Sequence, residues 1–76
     1  MSQVVHKFGK NATEEVQVSL TEFKGYDLID LRVYYCPPDG EPVPTKKGLT
    51  MSVGLYPDLR DSILKLGEAL GKQATQ

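Results

Sequence analysis

Cysteine is almost missing from this 76-residue chain. Cys36 stands alone, so no intramolecular disulfide can form, and with His6 as the single histidine no zinc-binding cluster can be assembled. Long apolar runs are missing too. Nothing approaches the roughly 18 residues of a membrane-spanning helix, and the first residues lack the apolar core of a secretory signal. The expected setting is cytoplasmic, nucleoid-associated if the source is bacterial, with no membrane partner. An excess of one charge is also lacking: nine Lys and Arg against ten Asp and Glu give a net charge of −1. A uniformly basic surface is thereby excluded, while a local cationic patch is not, because the Debye length at physiological salt is only about 8 Å. No acid, base and nucleophile constellation is present, which argues against an enzyme and against a cofactor or metal. His6 has no recognisable partner. Cys36, followed by two prolines, has no helix N-terminus or His beside it to activate the thiol and reads as a small strand-end residue.

What is present is one short domain, residues 1–76. A chain of this size hides only about 60% of the surface it exposes when unfolded. With disulfides and metals unavailable, association with a second copy is the expected remedy for a thin core.

Val4, Val5 and Phe8 indicate an N-terminal arm or short strand within residues 1–15, its phase blurred by Gly9, Asn11 and Thr13. From Val16 the alternation Val16-Gln17-Val18-Ser19-Leu20-Thr21 has the period of a half-buried strand, with Val16, Val18 and Leu20 on the expected buried face. Gly25 punctuates. Tyr26 to Tyr35 is rich in β-branched and aromatic residues and reads as the strongest strand. Ile29, Leu31, Val33 and Tyr35 fall on one face, and Leu28, Asp30, Arg32 and Tyr34 on the other. The prolines at 37, 38, 42 and 44 predict an extended loop that delivers Lys46 and Lys47 to a final strand, Gly48 to Ser52. The sheet is thus expected over 16–52. Leu59, Ile63, Leu66 and Leu70 then repeat at four, three and four residues, the stripe of an amphipathic helix over 55–71. Pro57 belongs in its first turn, Gly71 is the expected stop, and 72–76 a frayed tail.

The chemistry of interest lies where rings adjoin cations. Phe23 and Tyr35 could stack on bases or could simply pack in a core. Lys24, Lys46 and Lys47 could neutralise phosphates or could be ordinary solvated lysines around turns. Arg32 could join the same pattern or pair with Asp30 on its own strand. Rings beside fixed cations are what single-stranded nucleic acid requires.

The wording of the middle of the chain narrows these choices. Phe23-Lys24-Gly25, Leu28-Ile29-Asp30-Leu31-Arg32, Tyr34-Tyr35, Pro38-Asp39-Gly40-Glu41 and Lys47-Gly48-Leu49 resemble, in order and spacing, the C-terminal domain of the positive cofactor four family of transcriptional coactivators. The likeness runs from about Val18 to Leu66 and is of the single-domain bacterial or phage type. It implies an α+β fold, a four-stranded curved antiparallel sheet followed by one C-terminal helix, dimerising through the helix and a sheet edge. It implies single-stranded DNA binding with little sequence preference, aromatic stacking at Phe23 and Tyr35, and phosphate contacts at Lys24, Lys46 and Lys47, with Arg32 in the same channel. Leu59, Ile63, Leu66 and Leu70 become the expected homodimer interface, and the transcription or replication machinery an expected partner. Tyr26, Thr21 and Val43 stand where the family often carries basic residues, and Tyr35 replaces a Trp, so a weaker phosphate grip is expected. Ser52 caps the helix in the family pattern, but Pro57 then lies too deep, which predicts a delayed helix start. A protein-interaction module and an RNA binder on the same scaffold remain the alternatives.

Overall fold

Four strands and one long helix, connected in sequence order, make up the computed structural model, which describes residues 2–74. β1 (Gln3–Gly9), β2 (Glu14–Phe23), β3 (Tyr26–Tyr35) and β4 (Val43–Ser52) form one antiparallel sheet in the order β1-β2-β3-β4. A single 3₁₀ turn over Val53–Leu55 leads into α1 (Tyr56–Ala74). The four antiparallel strands and the single C-terminal helix are those implied by the resemblance.

Each boundary has a local cause. Lys24 at φ 52° and Gly25 at φ 84° close the β2–β3 hairpin. Positive φ at both central residues is the type I′ geometry, whose twist matches that of the flanking strands. The β1–β2 turn is held by Asn11, whose Oδ1 accepts from the Thr13 backbone N–H at 3.0 Å, and by the backbone N–H groups of Lys10 and Asn11, which both donate to the Glu14 carbonyl. Ser52 Oγ accepts from Gly54 N at 3.2 Å and caps the 3₁₀ turn. The regular helix is thereby delayed to Tyr56, leaving Pro57 in its first turn, where a missing N–H costs nothing.

Four expectations need correction. The helix does not stop at Gly71 but runs to Ala74, because a glycine in αR geometry only weakens a helix and Lys72 suits a C-terminal turn; the rest of the expected tail lies outside the described residues. β2 starts at Glu14, ahead of Val16, since the turn bonds at Lys10 and Asn11 already set its register. β4 begins at Val43, ahead of the lysines, and includes Pro44 opposite Tyr34. An edge strand tolerates a proline because no further strand needs its N–H. Finally, Leu20 is 43% exposed while Gln17 and Ser19 are each 8% exposed, the reverse of the expected burial on β2. Across the sheet, Lys7, Gln17, Arg32 and Gly48 form one row, and Val4, Ser19, Asp30 and Thr50 the next. Long neighbouring side chains in those rows cover the polar residues of the central strand.

The opposite face is the apolar one and is left open. Val18, Leu20, Ile29 and Leu31 line a groove of about 530 Å³ with Val5, Val53, Tyr56 and Leu59. Among the described residues Ile29 is the one buried apolar side chain. Beyond its first turns α1 leaves the sheet, with Ile63, Leu66 and Leu70 more than half exposed. The radius of gyration is 14.8 Å, against about 11 Å for a compact chain of this length. This fold presents its hydrophobic surfaces outward.

Candidate nucleic-acid interface

The sheet positions cationic and aromatic residues at its two ends. At one end, the type I′ turn carries Phe23, 62% exposed, opposite Tyr26, 71% exposed. The Lys24 ammonium lies 5.3 Å from the Phe23 ring centroid, a cation–π contact. Sequence reading set Tyr26 aside as a lost cation; the register makes it the cross-strand neighbour of Phe23. Two bare rings and an ammonium therefore share one hairpin tip.

At the other end lie Tyr35, 45% exposed, and the lysine pair. Between Arg32 and Tyr34 the pairing of β3 with β4 slips: Arg32 faces Gly48 and Tyr34 faces Pro44. Thr45, Lys46 and Lys47 thus bulge out opposite the single residue Val33, as bulges do when a strand must re-aim side chains. Thr45 holds the bulge from within, its Oγ1 donating to the Val33 carbonyl at 2.7 Å and accepting from the Lys47 backbone N–H at 3.2 Å. Gly48 is required just after it. A Cβ there would come within 2.5 Å of the Leu31 carbonyl oxygen and 2.8 Å of Arg32 Cα.

Arg32 is the most committed side chain of the six candidates. Its Nε and Nη2 donate to the two oxygens of Asp30 at 3.2 and 3.0 Å, the bidentate geometry that suits a guanidinium best. Nη1 donates to the Thr45 carbonyl at 2.9 Å, and Nη2 also reaches Thr50 Oγ1 at 3.3 Å. Thr50 in turn donates to Asp30 at 2.8 Å. Hydrogen bonding to the Asp30 carboxylate raises the guanidinium pKa above its ordinary value, so the charge is permanent. Arg32 is thus part of the framework of the lysine bulge.

Phe23 and Tyr35 do not meet. β3 has ten residues at about 3.3 Å each, which sets the hairpin tip and Tyr35 about 30 Å apart. Strand alternation also assigns Phe23 to the face of Gln17 and Ser19, and Tyr35 to that of Ile29 and Val33. Lys24 sits with Phe23, and Lys46 and Lys47 with the Tyr35 end.

Sequence reading missed three residues that shape this surface: Glu14, Asn11 and Thr45. Glu14 accepts from Asn11 Nδ2 at 2.8 Å and from Lys10 Nζ at 3.1 Å, and its second oxygen lies 3.9 Å from Lys47 Nζ. These bonds and charges hold its pKa below the ordinary carboxylate value, the Asn11 and Lys10 hydrogen bonds most of all. The Asn11-x-Thr13 spacing was a legible turn signal; the approach of Lys47 from β4 was not. Cys36 has its thiol pKa pushed up by burial and then by the nearby Glu15 carboxylate, which leaves it a weak nucleophile. Among the described residues no group of three or more His, Cys, Asp or Glu could hold a metal ion, and no helix is long and apolar enough to cross a membrane.

An open antiparallel sheet of four sequential strands with one trailing helix, an exposed aromatic tip and a lysine bulge make this a small α+β domain with an open sheet surface. The chain belongs to the PC4 family, transcriptional coactivator p15, whose model matches residues 10–62. The RNA polymerase II transcriptional coactivator SUB1 of Saccharomyces cerevisiae is 36% identical over 70 residues, which are 91% of this chain and 23% of that protein. The chain therefore spans less than a quarter of that relative. In structure it is similar to BPSL1147, a PC4 homologue from Burkholderia pseudomallei, with a TM-score of 0.81 at 23% identity over 87% of this chain and 89% of that one. The MoSub1 chain in a complex with single-stranded DNA superposes with a TM-score of 0.61 at 27% identity, covering 88% and 77% of the two chains.

Proposed function

We propose that this protein binds single-stranded DNA with little sequence preference, as a homodimer and without catalysis, in transcription, replication or repair. The observation that carries the reading is the hairpin tip, where Phe23 and Tyr26 are exposed beside the Lys24 ammonium. Burial explains neither ring, whereas bases stacking on them would be worth roughly 1 to 3 kcal/mol each. Lys24, Lys46 and Lys47 capture phosphates; Phe23 and Tyr35, at opposite ends and on opposite faces of the sheet, stack on separate bases. Arg32 contributes by fixing the bulge that presents Lys46 and Lys47. Family membership and the single-stranded DNA complex of MoSub1 support the same assignment. Association of SUB1 with RNA polymerase II transcription makes the transcription machinery the partner class to test first.

The open hydrophobic surfaces support the dimer. A helix of 19 residues gains most of its stability in water from packing an apolar face, and of the stripe Leu59, Ile63, Leu66 and Leu70 the last three are left more than half exposed by the described residues. A second copy covers that stripe and the sheet groove. Sedimentation is expected to give a dimer at micromolar concentration.

Fluorescence anisotropy of labelled single-stranded DNA, duplex DNA and RNA oligomers across a salt series tests the binding. Single-stranded DNA is expected to bind best, with log affinity falling by about 0.7 per contacted phosphate for each decade of salt. Phe23→Ala and Tyr35→Ala should each weaken binding about fivefold or more while the circular dichroism spectrum is unchanged. Equal affinity for duplex, or indifference to salt, would overturn the proposal; tighter binding of RNA would reassign the polymer.

A further inference from the structure

Two cations and an amide converge on one carboxylate at the Tyr35 end of the sheet. Lys10 Nζ and Asn11 Nδ2 reach one oxygen of Glu14 at 3.1 and 2.8 Å, and Lys47 Nζ approaches the other at 3.9 Å. The donors come from two separate segments, the β1–β2 turn and the β4 bulge. Both are held in place by other bonds: Asn11 by Thr13, whose N–H and hydroxyl both donate to its Oδ1, and the bulge by Thr45. A cluster of this composition is what binds a phosphate group: flexible ammoniums as point charges and a neutral amide as an aimed donor.

We propose that Lys10, Asn11 and Lys47 form a phosphate subsite and that Glu14 is its built-in counter-anion, displaced when a nucleic-acid phosphate enters. The inference rests on the function proposed above. If Glu14 served only to staple the β1–β2 turn, the two backbone N–H groups on its carbonyl and the Asn11 and Lys10 side chains would suffice. Lys47 belongs to a strand two places away in the sheet and adds nothing to that turn. Exposure is also graded as a displaceable anion requires. The Glu14 side chain is 19% exposed, while those of Lys10 and Lys47 are 45% and 71% exposed. The cations therefore reach solvent on the outer side of the carboxylate, and their stems let them follow an arriving phosphate. Opposite charges about 4 Å apart attract appreciably even in water, so Glu14 weakens the capture of any polyanion. This gives a chain of net charge −1 a cationic surface that is self-neutralised until a strand with additional stacking contacts displaces the carboxylate.

The test compares Glu14→Gln with Glu68→Gln, which removes the same charge from an exposed position on α1. Anisotropy with labelled oligothymidylate is read from about 50 to 300 mM NaCl. Glu14→Gln is expected to bind roughly three- to tenfold more tightly than wild type at the lowest salt, with a salt slope steeper by up to about 0.7, and Glu68→Gln to change affinity by less than about 1.5-fold. Adding Lys10→Ala to Glu14→Gln should cancel most of the gain. A Glu14→Gln protein that binds no more tightly than Glu68→Gln overturns the inference. Should Glu14→Gln fail to fold, Glu14→Thr, with a strand-favouring side chain, carries the same comparison. Wild-type protein with no preference for single strands over duplex sinks instead the function on which the inference rests.

Discussion

Arg32 Nη1 donates a 2.9 Å hydrogen bond to the carbonyl of Thr45, joining the middle of β3 to the bulge that carries Lys46 and Lys47. Asp30 fixes the guanidinium on its other side. A side chain that composition presents as one more cation is here a strut, and the position of the lysines depends on it. Removing the Thr45 hydroxyl frees the bulge without altering any charge. Thr45→Val is expected to cost about 1 kcal/mol of stability in urea unfolding and to weaken binding of single-stranded DNA severalfold, with Thr45→Ser close to wild type. Unfolding should be compared at one protein concentration, since any self-association adds to apparent stability. Unchanged binding by Thr45→Val would separate the bulge from the binding surface.

The hairpin tip makes opposite demands at Lys24. A side chain at φ 52° costs about 1 to 2 kcal/mol for most residues, and Asn tolerates it better. Lys24→Asn is therefore expected to raise stability by up to about 1 kcal/mol while reducing DNA affinity, because the ammonium over Phe23 is lost. Gly25→Ala, at φ 84°, should lower stability by about 1 kcal/mol. Thermal melts and anisotropy on the same samples check the pair; a Lys24→Asn protein that binds as well as wild type would show that strain at the tip serves no ligand.

Gly48 tests the packing of β4 on β3. Its missing Cβ makes room for the Leu31 carbonyl and the Arg32 backbone, and backbone atoms have little freedom to yield. Gly48→Ala is expected to destabilise by about 1 to 3 kcal/mol and to raise hydrogen exchange first in β4. Wild-type stability in this variant would mean that the two strands are not so closely apposed.

Acid should release the β1–β2 turn. Glu14 has a folded pKa below its ordinary value, so its contribution to stability is fully present above the unfolded carboxylate pKa and is lost as pH falls through the lower folded one. Wild type should melt above Glu14→Gln near pH 7, and the gap should close on acidification, as a protonated carboxyl and an amide become equivalent. A constant gap from pH 7 down to pH 3 would place the cause elsewhere.

Some of this protein could be read directly from its residues and some could not. Period-two alternation from Val16 to Thr21 and through β3, the Lys24-Gly25 turn and the four-three-four spacing of the helix are local signals, legible because strand, turn and helix geometry repeat over a few residues. The family motifs in the middle of the chain carried the fold further, to strand number and order. The burial of β2 was misread because alternation tells which residues share a face and says nothing of what covers that face. Here α1 departs from the sheet, so Leu20 stays open while Gln17 is hidden among the side chains of its row.

The same division runs through the candidate site. Sequence alone named the side chains that could grip a strand, the rings at Phe23 and Tyr35 and the lysines at 24, 46 and 47, and left open whether the rings were exposed. It also set the scarcity of cysteine, histidine and net charge. Only the tertiary structure decided that Arg32 is a strut, that Phe23 and Tyr35 occupy opposite ends of a hairpin, and that Glu14 lies between Lys10 and Lys47. Those relationships join residues up to 33 positions apart (Glu14 and Lys47) through strand register and a bulge. Register is set by the sum of many cross-strand contacts, and no short stretch of sequence contains that sum.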